Sequence, residues 1–429
     1  MGQPKILILS AKFDSGDAIT ALNLFSEFNK ENLFCASLNF GNYTQNFASC
    51  YRMGKEEVRY MFPFSFIYGL SGSCEYFTYT NFQSTIYKDR LLQKAYKKIL
   101  MPILQYIGLY GDRMKIHISE RFVNWVNHIS PDYIYTSIGS LEMSRFVKEL
   151  MFTFPQVRFI IHGYDDWLEP NYKMAFRKHF RNRSEKIFTQ IIDRASLLFA
   201  TSDKMADDYL KRYGKTFITF PNPVKISGVE QRTIKNSVLF IGKVGKHNLK
   251  SILLMAKALN QFNARQVNRM TFDLYSNVET SLQNKLKKIC KDCIFHNWIN
   301  HEDIPIVIAE SKILFLPISI SKSVEKFTRY SMSTKMSEFL SSGRPVIYCG
   351  PKNIAMTEVL MKNGCAFVVT NNDVKAIVDS LQKIKRDDAY VDELVERAKL
   401  VSQQNFDLEE VSTSFKNTLC GHYENNYNC

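Results

Sequence analysis

A lysine, a carboxylate and the start of a helix fall within six residues in Ser333-Thr334-Lys335-Met336-Ser337-Glu338. Ser333 or Thr334 is placed to cap the helix. The first-turn amides then form an anion site that suits phosphate. Glu338 lies about one turn inside. Phosphate on the amides and ribose hydroxyls on the carboxylate would accommodate a nucleotide. Met336, Phe339 and Leu340 recur three and four apart, giving one apolar face, and Gly343 followed by Pro345-Val346-Ile347 reads as a helix stop and a buried strand. The same spacing also fits an ordinary capped helix in an α/β domain.

Other segments place reactive residues just after apolar runs. In Phe240-Ile241-Gly242-Lys243-Val244-Gly245-Lys246-His247-Asn248-Leu249-Lys250, a strand leads into a glycine turn and a cationic helix start. Glycine lets a backbone approach phosphate, and lysine neutralises it; a solvated turn has the same composition. His162 follows the apolar run Val157–Ile161, where it can hold a ligand or make a structural hydrogen bond. Gly16 closes a polar loop after Ile6–Leu9. The nine cysteines are scattered, and the lone pair Cys290/Cys293 has no second pair or histidine cluster at zinc spacing. No metal or other cofactor is expected, and the thiols point to a reducing compartment.

The elements that must carry these residues alternate strand and helix nearly throughout, which argues for parallel sheets in α/β layers. At 429 residues the chain exceeds one typical core. Pro221-Asn222-Pro223 and the polar stretch after it mark a boundary. Domains are expected at 1–223 and 224–405, with a helix and tail at 406–429. Open α/β sheets bind ligands at the carboxyl ends of their strands, where most of these residues fall. The N-terminus lacks a cleavable leader pattern, and no apolar run approaches the roughly 20 residues that span a bilayer. A cytoplasmic protein, soluble or peripheral on the membrane, is expected.

The run Thr334-Lys335-Met336-Ser337-Glu338-Phe339-Leu340-Ser341-Ser342-Gly343-Arg344-Pro345-Val346 resembles the nucleotide-sugar motif of family 4 glycosyltransferases (GT4) of the bacterial surface-polysaccharide type. These are retaining enzymes of the GT-B fold. The resemblance implies two Rossmann-like, doubly wound domains facing a central cleft, with the C-terminal helix crossing back to the first. It implies a nucleotide-sugar donor carrying UDP or GDP, and a glycan or lipid-linked acceptor. Lys243 matches the family's first cation after the glycine and Lys250 its second; both would hold the diphosphate, with Gly242 in the loop and no metal required. Glu338 would hold the ribose, Thr334 and Lys335 the donor, and His162 would face the donor sugar. Gly16 matches a small-residue loop near the diphosphate or acceptor. Phe295-His296-Asn297-Trp298 resembles a base-pocket segment, although His296 and Trp298 read as packing residues. One departure stands out. The family's first Glu, eight residues before Glu338, is Tyr330 here, and Glu325 lies thirteen residues before it.

The formal net charge of +14 suits anionic partners. Charge alone would also fit a nucleic-acid binder, but no recognisable module supports one, so none is expected. A relative that binds the donor without transferring it remains open because of Tyr330. Two basic tracts suit an anionic membrane: Lys88 to Lys98, including Lys94 and Lys97 and leading into Ile99–Leu104, and Lys173 to Lys186. Both also read as solvated helix faces.

Overall fold

The computed structural model describes residues 3–10, 13, 16–38, 43–61, 65, 69–70, 75–77, 86–87, 96–168, 174–226 and 233–425. The chain divides into two compact units, Met1–Phe220 with Ser412–Cys429, and Pro221–Val411.

The first unit contains β1 (Ile6–Ser10), β2 (Leu33–Ser37), β3 (Ser49–Arg52), β4 (Val58–Tyr60), β5 (Gly69–Leu70), β6 (Glu75–Phe77), β7 (Ile86–Tyr87), β8 (Met114–Ile116), β9 (Tyr133–Ser137), β10 (Arg158–Gly163), β11 (Leu197–Ala200) and β12 (Ile218–Thr219). Its main sheet has the order β12-β11-β10-β9-β1-β2-β3-β6 and is parallel except for β3 with β6. β4 pairs with β8 and β5 with β7 in separate antiparallel ribbons. Ile6 through Leu9 are buried without alternation because β1 lies between β2 and β9 with both faces covered. Ser140 and Ser202 cap the helices Leu141–Thr153 and Asp203–Tyr213, accepting from the amides of Met143 and Met205. Gly16 is the first residue of the helix Gly16–Leu24, not part of the loop before it.

The last helix, Leu408–Asn425, joins the first unit from Ser412 onward. Phe415 is fully buried there, its ring centroid 5.0 to 6.2 Å from those of Phe25, Tyr135, Phe199 and Phe220. Four edge-on or tilted aromatic contacts fix the tail to the sheet.

The second unit contains β13 (Lys235–Ile241), β14 (Thr271–Tyr275), β15 (Cys293–His296), β16 (Ser311–Pro317), β17 (Val346–Cys349) and β18 (Phe367–Val369). They form a wholly parallel sheet in the order β15-β14-β13-β16-β17-β18. The order reverses between β13 and β16, which opens a crevice at their carboxyl ends. Alternate residues feed two cores. Val238, Phe240, Ile313, Phe315 and Ile347 pack on one face, and Leu239, Ile241, Leu314, Leu316 and Val346 on the other. Cys290 and Cys293 are free, buried thiols, both within the first of these cores. Among the described residues, no group of three His, Cys, Asp or Glu side chains could hold a metal.

Candidate functional site

Every strand end around the β13/β16 crevice is tied by hydrogen bonds. After β13, the Gly242 amide donates to the Tyr275 carbonyl at 3.0 Å, and the Val244 amide donates to Ser276 Oγ at 3.3 Å. Asn248 closes the turn: its Oδ1 accepts from the Gly245 amide at 2.8 Å and its Nδ2 donates to the Lys243 carbonyl at 2.9 Å. After β16, the Ser319 amide donates to the His247 carbonyl at 2.6 Å, while Ser319 Oγ accepts from the Lys250 amide at 3.2 Å. The two loops that flank the reversal point are thus one bonded unit. It presents Lys243, Lys246 and Lys250 with exposed side chains.

The helix Thr334–Ser341 supplies the rest. Ser333 occupies its cap position but makes no side-chain cap bond, contrary to the expected capping. Its amide instead donates to Met356 Sδ at 3.3 Å. The amides of Thr334 and Lys335 precede any intrahelical acceptor. Met336, Phe339 and Leu340 are buried as the periodicity requires, which turns Thr334, Lys335 and Glu338 toward a less buried side. Gly343, with φ of 72°, follows the end of the helix.

Lys335 extends to Gly242. A β-carbon on Gly242 would lie 2.7 Å from Lys335 Cε and 3.1 Å from Nζ, and Gly242 has φ of 130°. Only glycine meets both conditions without strain. Burial lowers the Lys335 pKa from its usual value, and the charge of Glu338, one turn on, pulls it back up. Among the described residues the ammonium makes no hydrogen bond or ion pair. A half-dehydrated cation beside a bare backbone, at a helix start and a sheet reversal, can receive an anion.

Residues 235–387 match the family model described as glycosyl transferases group 1. The match spans β13, the Gly242 loop and the helix carrying Lys335 and Glu338. Against curated protein sequences the chain finds no match. Solved structures match nearly end to end at low identity. HepE from Anabaena, in complex with UDP-glucose, is 13% identical, with 97% of this chain and 100% of that one covered and a TM-score of 0.62. Sucrose-phosphate synthase from Thermosynechococcus elongatus is 12% identical, with 98% and 99% covered and a TM-score of 0.60. An α,α-trehalose 6-phosphate synthase from Burkholderia multivorans is 10% identical, with 99% and 98% covered and a TM-score of 0.60. Together with the two Rossmann-like parallel sheets, these likenesses show the GT-B fold.

The other expected residues are placed differently. His162 is fully buried in the first unit. Its Nε2 donates to the Phe220 carbonyl at 3.1 Å, which leaves Nδ1 to accept from the Tyr135 hydroxyl at 2.7 Å; that hydroxyl also bonds Tyr164 at 2.7 Å. Burial pushes its pKa down to about 3, against the weaker opposing pull of the Phe220 carbonyl. The ring is a neutral strut with both nitrogens occupied. Tyr330 is 3% exposed, with the Arg329 guanidinium carbon 5.4 Å from its ring centroid. Glu325 accepts from Asn353 Nδ2 at 3.0 Å.

Tyr275, Ser276 and Ser319, beside these strand ends, were not singled out from sequence. Tyr275 stacks on His296, centroids 4.1 Å apart and planes within 6°, at the carboxyl ends of β14 and β15. Trp298, expected in packing, is 57% exposed just beyond. Ser276, Ser319 and Asn248 are ordinary polar residues in sequence. Their one signal is position, just past a strand or at a helix start.

Proposed function

We propose that the chain is a glycosyltransferase that moves a sugar from a UDP- or GDP-sugar to a glycan or lipid-linked acceptor with retained anomeric configuration. Surface polysaccharide or glycoconjugate synthesis is the setting we infer, following the GT4 resemblance. The observation that carries the reading is the Lys335–Gly242 contact at the β13/β16 reversal, inside the segment that matches group 1 glycosyl transferases. The UDP-glucose bound by HepE supports a nucleotide-sugar ligand. In this reading the diphosphate lies on the Thr334 and Lys335 amides, the Lys335 ammonium and the exposed Lys243 and Lys250. Glu338 accepts the ribose hydroxyls. Tyr275, His296 and Trp298 offer flat surfaces on the side where a base would lie.

The transfer breaks the bond from the anomeric carbon to the diphosphate oxygen. The acceptor oxygen bonds to that carbon, and its proton passes to the departing phosphate. Charge on the diphosphate grows as the bond breaks, and fixed cations and amides stabilise it. No metal enters this scheme. Gly16 retains only a backbone role at the start of its helix.

The buried Tyr330, at the place of the family's first Glu, favours a second reading: a nucleotide-sugar binder that does not transfer. One experiment separates the two. Thermal shift across UDP- and GDP-sugars reports binding, and release of nucleoside diphosphate from the stabilising donor reports turnover. Binding with slow hydrolysis supports transfer. Binding with no release under any acceptor supports the second reading, and no stabilisation by any nucleotide sugar or nucleoside diphosphate rejects both.

A further inference from the structure

The first unit carries an apolar surface that stands exposed among the described residues. The helical segments Tyr96–Leu100 and Met101–Tyr106 turn Leu104 inward against Tyr60, Leu100 and Met101. On the outer side Ile99, Ile103, Tyr106, Ile107 and Leu109 are 39% to 64% exposed. Spacings of three, four and seven place Ile99, Ile103, Tyr106 and Ile107 on one side of these turns, and Leu109 follows just past Gly108. A second segment extends it. The Ala175 amide donates to the Tyr106 carbonyl at 2.7 Å, which sets Phe176, 65% exposed, beside the helix end. Scattered exposed apolar residues are ordinary, but a continuous cluster of this kind marks an interaction surface.

The surrounding charge indicates the partner. Residues 96–113 and 174–186 contain eight lysines and arginines against two acids. Both acids are already engaged: Asp112 pairs with Arg145 and Arg183, and Glu185 with Arg181 and Arg212. The exposed Lys98, Lys178 and Lys186 leave the rim positive. A symmetric contact with a second copy would oppose two such rims. An anionic bilayer matches both parts, apolar side chains entering the acyl boundary and cations resting on headgroups.

We propose that this face seats the protein on an anionic membrane, with Ile103, Tyr106, Ile107 and Phe176 inserted and Lys98 and Lys178 at headgroup level. Among the described residues no helix is long and apolar enough to cross a bilayer. Lys94 and Lys173 lie outside the described residues, so the sequence-level basic tracts enter only through their described cations.

Flotation of the full chain with phosphatidylcholine vesicles, with and without phosphatidylglycerol, tests it. Binding is expected with phosphatidylglycerol at low salt. Ile103→Asp combined with Phe176→Asp should lower the partition coefficient at least about tenfold, since each removes one inserted apolar side chain, while the melting temperature holds. Lys98→Glu with Lys178→Glu should also weaken binding and flatten its salt dependence. An Ile107→Trp variant should show blue-shifted emission when vesicles are added. Unchanged partition of the aspartate variant, or no spectral shift, overturns insertion. A dimer that the aspartate variant dissolves, in a protein that ignores vesicles, shows that the face is a contact between copies instead.

Discussion

The Lys335 ammonium lies across the α-carbon of Gly242, and each residue sets the terms for the other. Gly242 has no side chain and a φ of 130°, and the end of Lys335 occupies the space that a β-carbon there would take. Lys335 lies in the first turn of the helix whose apolar face anchors it to the second core of the unit. A loop after one strand and a helix after another are thereby joined at the point where the sheet reverses.

Gly242→Ala should strike both conditions. The added carbon displaces Lys335, and the backbone at this φ is strained for any L-residue by about 1–3 kcal/mol. Chemical denaturation should show that loss, and titration with UDP and GDP should show weaker binding. Full retention of both would mean that the contact is incidental.

Lys335→Met keeps the length and apolar stem but removes the charge. Affinity for a nucleoside diphosphate should fall by about 1.5–3 kcal/mol, roughly 10- to 100-fold. Stability should hold or rise at neutral pH. Lys335 has a folded pKa below its unfolded value, so the unfolded chain binds more protons between the two, and stability attributable to this residue rises with pH across that window. An anion bound beside it restores the proton. Calorimetry in two buffers of different ionisation enthalpy, at a pH inside the window, should therefore detect proton uptake in the parent and none in the variant.

Glu338→Gln should leave the melting temperature near the parent's and weaken donor binding by about 1–3 kcal/mol. Comparing UDP with 2′-deoxy-UDP tells which part of the ligand it holds. If the substitution costs both ligands the same, Glu338 does not bond the ribose 2′-hydroxyl.

Lys243→Ala should depress kcat more than it raises KM, because the diphosphate is most charged as the glycosidic bond breaks. A rise in KM alone, with turnover intact, would assign Lys243 to uniform binding.

His162→Gln should cost about 2–4 kcal/mol of stability, because a buried ring and two hydrogen bonds are disturbed. Nucleotide affinity of the second unit should be unchanged. The histidine stays neutral down to a pKa of about 3 when folded but titrates near 6.5 when unfolded. Its contribution is therefore complete above about pH 6.5 and lost as the pH falls toward 3. A His162 imidazole resonance, identified by its loss in the variant, that titrates near neutral pH in the folded protein would contradict the buried, doubly bonded ring.

Periodicity and punctuation alone located the α/β layers. Apolar runs such as Ile6–Leu9 and Val346–Ile347 are strands because a parallel strand buries both faces, and Met336, Phe339 and Leu340 follow the helical repeat for the same reason of burial. Gly242, Lys335 and Glu338 also stand out in the sequence, since glycine and lysine near strand and helix ends suit phosphate and a carboxylate one turn into a helix suits ribose hydroxyls. What the linear chain does not encode is which ends meet. The strand order that opens a crevice between β13 and β16, the 93 positions bridged between Gly242 and Lys335, and the stacking of Tyr275 on His296 arise only when non-local pairing brings those ends together. His162 shows the reverse case. A histidine after a buried strand has one sequence signature whatever it touches, and the partners that occupy both its nitrogens, the Tyr135 hydroxyl and the Phe220 carbonyl, lie 27 and 58 residues away and meet it only in the fold.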